Sequence, residues 1–268
     1  MNDGKRKNLF TKKIIFHFIF VFVLGVPAAA ISGGFGAPQP VCRETGGLHT
    51  AIGYWYGENV YENGVTNVVR QNQIYSEAGY GFGMYMDVYA RIGVSDLKML
   101  DAFRSGIVTT FTNKSNFKDN WKIFGTLGAK GFYPLNDVFG VGVFFQGTCY
   151  FDDFSDGVAG RESGRLFLSE LDIENYWEVN AGIGLQAAIP HGIKLYCGPY
   201  GYYFQARVSP LFNIAGLPFV TADGKIKNKT KWGGYGGIVV PLGKGFQINV
   251  EGQYSERFSV GAAAIYMY

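Results

Sequence analysis

The clearest pattern in the chain is an alternation of apolar and polar residues with a period of two. In residues 246–255, Phe, Ile, Val and Tyr alternate with Gln, Asn, Glu and Ser, and residues 177–189 repeat the arrangement. Successive side chains of a β-strand point to opposite faces, so the pattern predicts strands with one apolar and one polar face. From Leu48 onward, no stretch has the spacing of an amphipathic helix.

Other stretches carry the same alternation less regularly, and tight turns alternate with longer polar segments between them. We expect long loops at 57–73, 96–120, 153–173 and 208–228. Short connections at one end and long ones at the other are typical of outer-membrane barrels. We therefore predict an all-β fold, a transmembrane antiparallel up-and-down β-barrel of about 10 strands, with 8 or 12 less favoured. The predicted strands are residues 48–56, 74–82, 86–95, 121–132, 138–152, 177–189, 193–207, 231–240, 246–255 and 258–268.

A soluble sandwich or barrel would show the same alternation, with its apolar face inward. Three features favour the membrane: an export signal, the alternating connection lengths, and aromatic residues near predicted strand ends. Such aromatics suit the girdles at a membrane surface. They include Tyr54, Trp121, Tyr133, Trp177 and Trp232.

The N-terminus has the form of a secretory signal peptide. A basic stretch at 1–13 precedes an apolar run at 14–26 and three alanines, which predicts cleavage after Ala30. A membrane anchor is the alternative, but the run is shorter than the roughly 20 residues that span a bilayer. Removing residues 1–30 changes the formal charge from +3 to about −1. Without clustered basic residues, we expect no binding of nucleic acid.

The remaining chain divides into two parts. Residues 31–47 are rich in Gly and Pro, and we expect them to form a periplasmic N-terminal lead-in to the barrel at 48–268. An even number of strands would place both termini in the periplasm and the protein in the cell outer membrane. Cys42, Cys149 and Cys197 suggest neither a disulfide framework nor a metal site, and pairing between chains stays open.

The C-terminal sequence RFSVGAAAIYMY resembles the final strand of outer-membrane barrels, and DVYARIG at 87–93 resembles strands of the OmpA-like and OmpX-like group of small barrels. The resemblance covers roughly 48–268 and is generic. It implies insertion by the barrel-assembly machinery, with Tyr266 and Tyr268 as an assembly signal. It implies no particular activity.

If Tyr268 faces lipid, strand parity assigns the opposite face to the lumen. Counting back from the tight turns places Glu77 opposite Arg91 and Tyr80 opposite Val88. It also places Glu178 opposite Gln205. We expect a packed lumen with paired charges, since an unpaired charge loses hydration there; a narrow pore is the alternative. The predicted lumenal charge network comprises Glu77, Asp87, Arg91, Lys122, Lys130, Glu178, Arg207 and Glu251.

We expect no catalytic residues, no metal site and no cofactor. His49 and His191 map to the end with short turns, far from Asp152, Asp153 and Asp156 at the opposite end. General acid–base catalysis needs these groups within hydrogen-bonding reach. The acidic run could bind Ca²⁺, but its spacing lacks an established pattern and a solvated loop is favoured.

The long loops are the expected seat of function. Apolar residues in loop 96–120 would form an adhesive patch, extend the barrel or fold back into its mouth, and these alternatives stay open. The sequence thus favours a non-enzymatic barrel with a structural or surface-interaction role. Its expected partners are outer-membrane lipids and an extracellular ligand or surface.

Overall fold

The computed structural model describes residues 34–41, 46–62, 66–103, 110–112, 114–162, 165–214, 217–220 and 224–268. The predicted signal peptide and Cys42 lie outside them. Within these residues, no helix is long and apolar enough to cross a membrane. The only helical element described is a 3-10 turn, Pro190–Gly192. The strands are β1 Gly47–Glu62, β2 Thr66–Phe82, β3 Met86–Met99, β4 Thr110–Thr112, β5 Phe117–Pro134, β6 Phe139–Tyr150, β7 Phe154–Glu162, β8 Arg165–Ala188, β9 Lys194–Ile214, β10 Leu217–Val220, β11 Gly224–Asn228, β12 Trp232–Gly243, β13 Phe246–Tyr254 and β14 Phe258–Met267.

Ten of these strands form a closed antiparallel barrel in the order β1, β2, β3, β5, β6, β8, β9, β12, β13 and β14. The barrel closes where β14 pairs with β1, from His49 opposite Met267 to Tyr56 opposite Val260. Closure pairs the backbone groups that an open sheet would leave exposed at its edges. Each predicted strand coincides with one of the ten, so the predicted fold class and strand number are confirmed.

We call the two ends of the barrel the turn end and the hairpin end. At the turn end, the connections are short; the one between β2 and β3 includes Gly83, whose φ of 63° suits glycine. The predicted pairs Glu77 with Arg91 and Tyr80 with Val88 are confirmed. The predicted pair Glu178 with Gln205 is wrong, because Glu178 lies opposite Phe204. The 3-10 turn at Pro190–Gly192 moves this register by one residue from the expected two-residue turn.

At the hairpin end, the strands continue into the segments that we expected to be long polar loops. β1 and β2 pair as far as Glu62 and Thr66, and β8 and β9 pair as far as Phe167 and Ile214. The short strands β4, β7, β10 and β11 pair with these extended strands or with one another. The predicted strands therefore ended too early, because much of each predicted loop is β-strand. These added strand residues form an extension of the barrel at the hairpin end.

The apolar face changes sides along single strands. In the turn half of β3, Val88 and Ile92 point outward and are exposed, whereas Asp87 and Arg91 are buried in the lumen. In the hairpin half of the same strand, Leu97 is buried inside. The odd-numbered residues point inward along the whole of β3. The inner face therefore changes from polar in the turn half to apolar in the hairpin half.

In β5 the apolar side also changes, but here the parity of the strand shifts at an irregular register. Leu127 is exposed on the outside and Lys130 is buried inside, but further toward the hairpin end Phe117 is inside and Lys118 is outside. The registers of β3 with β5 and of β8 with β9 are irregular near this level. On β8, the irregularity includes Asn175, which has a φ of 52°.

The exchange of faces marks the boundary of the lipid-facing band on the side of the hairpin end. The turn half carries a continuous outward band of exposed apolar side chains, which is stable only in hydrocarbon. Aromatic side chains flank the band, as expected of girdles at the two membrane surfaces. The protein is a transmembrane β-barrel of the outer-membrane type. The girdle at the hairpin end includes Tyr54, Trp121, Trp177, Trp232 and Tyr254, and that at the turn end includes Tyr80, Phe82, Tyr133 and Tyr268.

Candidate functional site: the filled lumen

Residues 34–41, which we call the lumen segment, lie inside the turn half of the barrel. The Phe35 N–H donates to Glu251 Oε1 at 2.8 Å, and the Gly36 N–H donates to Oε2 at 2.7 Å. The Val41 N–H donates to Asp87 Oδ2 at 3.1 Å. Lumenal carboxylates thus satisfy backbone donors of an extended segment outside the sheet. The prediction of a periplasmic lead-in needs correction for these residues.

Aromatic packing fixes the same segment. Phe35 is fully buried, and its ring stacks on Phe144 with centroids 4.2 Å apart. The rings of Tyr200 and Tyr235 meet it edge-on at 5.0 and 5.4 Å. Such a cluster adds geometric specificity to the burial of apolar area. The side chain of Phe35 therefore occupies an aromatic pocket formed by residues of three barrel strands.

A second contact ties the segment to β8. The Gln39 N–H donates to Gln186 Oε1 at 3.3 Å, and Gln186 Nε2 donates to Gln39 Oε1 at 2.8 Å. Both side chains are buried. Together with Glu251 on β13 and Asp87 on β3, this contact joins the segment to three separate parts of the wall.

The centre of the lumenal charge network is Arg91. Its Nε donates to Glu77 Oε2 at 2.6 Å. The guanidinium also lies over the rings of Tyr75 and Tyr89, 4.8 and 4.7 Å from their centroids. Tyr89 Oη in turn donates to Gln146 Oε1 at 2.9 Å. Ion pair, cation–π contacts and hydrogen bonds compensate for removing this charge from water.

Sequence reasoning missed a member of the network, His49. Its Nε2 lies 3.0 Å from Asp87 Oδ1, and Nδ1 lies 3.8 Å from Glu77 Oε1. A histidine and a carboxylate are thus within reach after all, although not at the hairpin end. The side chains of both His49 and Asp87 are only 1% exposed, so the pair is shielded from solvent. The available signal was strand parity, since His49 shares the inner face with Ala51 and Trp55.

Most predicted lumenal charges lie in the lumen, and one does not. Lys122 lies on the inner face opposite Ser95, toward the hairpin end, where it is partly exposed and 3.3 Å from Asp119. Arg207 was wrongly placed in the lumen: its side chain is 52% exposed, and Nη1 lies 4.0 Å from Glu174. The one-residue register shift between β8 and β9 explains this error. Glu77 has 9% of its side chain exposed, and the buried residues of the predicted set are Asp87, Arg91, Lys130, Glu178 and Glu251.

Two of these buried charged side chains, Lys130 and Glu178, contact neutral groups. Lys130 Nζ donates to the Ala37 carbonyl at 3.4 Å and lies 5.3 Å from the centroid of the Tyr89 ring. Glu178 Oε1 accepts a hydrogen bond from Asn180 Nδ2 at 2.6 Å. The lumen thus combines ion pairs with neutral hydrogen-bonding partners.

A mainly apolar cluster occupies the hairpin half of the lumen, and we call it the cap cluster. Leu97 and Met99 belong to it and Phe103 packs against it, so this part of loop 96–120 folds into the mouth of the barrel. Ile107 and the side chain of Phe111 lie outside the described residues. The buried members are Val69, Leu97, Met99, Phe117, Phe154, Ile173, Tyr176, Phe204, Ala206, Val208 and Ile226.

A small cavity lies between the lumen segment and the strands. It has a volume of about 30 Å³ and is lined by residues such as Glu77, Arg91 and Asn249. This volume holds about one water molecule.

The described residues contain no group of His, Cys, Asp and Glu arranged to hold a metal ion. Of the acidic run, Asp156 is bonded to Lys114 Nζ at 2.5 Å and to the Lys118 N–H at 2.7 Å.

The C-terminal aromatics face outward at the turn end. Tyr266 packs on Phe246 and Tyr268, with ring centroids 4.6 and 4.8 Å away. The Tyr268 N–H donates to the Leu48 carbonyl at 3.1 Å and so extends the seam that closes the barrel. Cys149 and Cys197 are free and exposed.

No family model matches the chain, and no curated protein matches it. Solved structures with a similar fold are outer-membrane barrels. The translocator domain of the autotransporter NalP from Neisseria meningitidis is 10% identical, with a TM-score of 0.42 over 83% of this chain and 88% of that one. The outer membrane protease OmpT from Escherichia coli is 11% identical, with a TM-score of 0.45 over 83% and 95%. Ail, the attachment invasion locus protein of Yersinia pestis, is 14% identical, with a TM-score of 0.30 over 84% and 99%. These likenesses concern the fold alone.

Proposed function

We propose that this protein is a non-enzymatic outer-membrane barrel with a structural or surface-interaction role, carried by the extension at the hairpin end. The observation behind the proposal is that the lumen is filled at two levels. The lumen segment and its ion pairs occupy the turn half, and the cap cluster occupies the hairpin half. A solute crossing the barrel would have to displace both.

The alternative is a narrow passive pore. The polar lining of the turn half favours it, because Glu77, Arg91 and Asn249 border a small cavity. Rings of mixed charge can line a conduit. The lumen segment is also held by side chains rather than by a β-ladder, so it could leave without breaking the wall.

We further propose that the signal peptide is cleaved and that both termini lie in the periplasm. The hairpin end would then face outward, because short turns are typical of the periplasmic side. Cysteine labelling of intact cells tests this orientation. In a background in which Cys42, Cys149 and Cys197 are changed to Ser, Lys225→Cys at the hairpin end should react with a membrane-impermeant maleimide in intact cells. Lys244→Cys in a turn should react only after the cells are opened, and the reverse pattern would contradict the orientation.

Planar-bilayer conductance tests the closed lumen. We expect the purified mature barrel to give no unitary current steps, and heat-modifiable gel migration should show that the inserted protein is folded. A variant lacking residues 34–41 should also stay closed, since the cap cluster remains in place. Steps in the unaltered protein that change in size with Glu251→Gln would establish the pore and end the proposal.

A further inference from the structure

Four lysines share one face of an extended segment at the hairpin end, and we call them the lysine row: Lys225, Lys227, Lys229 and Lys231. All four are exposed, whereas Ile226 between them is buried. The period of two follows from the strand: Ile226 belongs to the cap cluster, so its neighbours on either side point outward. The row lies on β11 and on the residues that link β11 to β12.

The row runs along the barrel wall down to the membrane surface. β11 pairs with β9 as far as Lys227, and β12 pairs with the same strand from Trp232 onward. Between them, the Tyr202 N–H donates to the Lys231 carbonyl at 2.9 Å, which keeps the linking residues against β9. Trp232 is 73% exposed and belongs to the girdle. The lysines therefore begin at the girdle and extend away from it.

The charge of the row is only partly neutralised within the protein. Lys229 Nζ lies 3.9 Å from Glu256 Oε1. Lys225 lies opposite Arg207 across the ladder of β11 with β9, and Arg207 Nη1 lies 4.0 Å from Glu174 Oε2. Lys227 lies opposite Glu62 across the ladder of β11 with β1. Among the described residues, no carboxylate forms an ion pair with Lys225 or Lys231. Like charges on neighbouring strand positions are unfavourable, so an external anion would stabilise this surface.

We propose that the lysine row binds the phosphate of phosphorylated lipid headgroups in the leaflet at the hairpin end. Headgroups occupy the layer just beyond the hydrocarbon, where the row starts beside Trp232. Cations at this level attract anionic headgroups. The inference rests on the membrane position of the proposed function and not on its closed lumen. A conducting barrel that loses lipid when the row is altered would refute the closed lumen and leave this proposal standing.

Titration of the detergent-purified barrel with dioleoylphosphatidic acid, followed by native mass spectrometry, tests the proposal. The key variant is Lys225→Gln/Lys231→Gln, which removes the two lysines without a carboxylate partner among the described residues. The control is Lys98→Gln/Lys118→Gln, which removes the same charge from a directly opposed pair on the outer face of β3 and β5. Heat-modifiable gel migration should show that both variants fold. We expect binding about tenfold weaker in the key variant and unchanged in the control.

Three outcomes would overturn the assignment. Equal weakening in the two variants would show a general effect of surface charge. Inorganic phosphate binding as tightly as phosphatidic acid would show an anion site that ignores the lipid. Heparin binding through the row, with phosphatidic acid no better than phosphatidylcholine, would identify a sulfated glycan as the ligand.

Discussion

The two halves of the lumen are filled in opposite ways. In the turn half, the wall faces lipid, and charged and aromatic residues with the lumen segment occupy the interior. In the hairpin half, the wall faces water, and the cap cluster fills the interior as in a soluble protein. The medium outside sets the chemistry inside, because each strand places its apolar side chains toward lipid or, where lipid is absent, away from water.

The largest expected effect concerns the polar half. Arg91→Met leaves Glu77 buried without its cation, and we expect a loss of about 3–5 kcal/mol in the free energy of unfolding. Urea unfolding in lipid vesicles measures it. The double variant Glu77→Gln/Arg91→Met should recover most of the loss, because no charge is then left uncompensated. A double variant as unstable as the single one would contradict the importance of the ion pair.

The next effect tests where the lipid ends. Leu127 is 70% exposed in the membrane-facing band, and Leu168 is 45% exposed on the extension. Leu127→Arg should cost about 2–4 kcal/mol, as lipid-facing charges do. The matched change Leu168→Arg should stay within about 0.5 kcal/mol, because that position faces water. Equal costs in vesicle unfolding would place the membrane boundary elsewhere.

A smaller effect distinguishes an apolar residue in the cap cluster from one in lipid. Ile173 is fully buried, and Ile173→Ala should cost about 2 kcal/mol through lost contacts and a cavity. Ile92→Ala on the lipid face should cost much less, since acyl chains fill the space. Protease digestion should detect loosening of the extension in the first variant only. Equal digestion of both would argue against a separate core at the hairpin end.

The smallest effect asks whether lumenal polarity itself is stabilising. Thr126 and Thr148 share a hydrogen bond of 2.8 Å between their hydroxyls. Thr126→Val should cost about 1 kcal/mol by leaving one hydroxyl without its partner. Thr126→Val/Thr148→Val should return close to the original stability, as a double-mutant cycle would show. A double loss equal to the sum of the single losses would show that the two hydroxyls act independently.

The sequence predicted the membrane part of the fold well, for a physical reason. Alternation of Leu127 with lumenal residues such as Lys130 is preserved there, and tight turns fix the register of Glu77 with Arg91. Where the faces exchange on β3, the apolar positions change phase, from Val88 and Ile92 to Leu97 and Met99. Because a break in the alternation is also what the end of a strand produces, the sequence analysis placed a loop there.

The candidate site was less predictable, because its contacts come from distant parts of the chain. Nothing local in the Gly- and Pro-rich segment shows that Phe35 will stack on Phe144. Arg207 was misplaced by a single residue of register, which reverses the direction of every side chain on the strand. His49 was missed because its position near a strand end suggested the rim rather than the lumen.

The lumen segment also bears on the order of assembly. Its hydrogen bonds to Glu251 span 216 and 215 residues of chain, and that to Gln186 spans 147. Contacts so distant in sequence form late, since the intervening chain must be ordered first. The first described residues of the protein thus reach their final position only after β13, one of the last strands, is in place. We expect the docking of this segment inside the lumen to be a slow, final phase of folding that follows closure of the barrel.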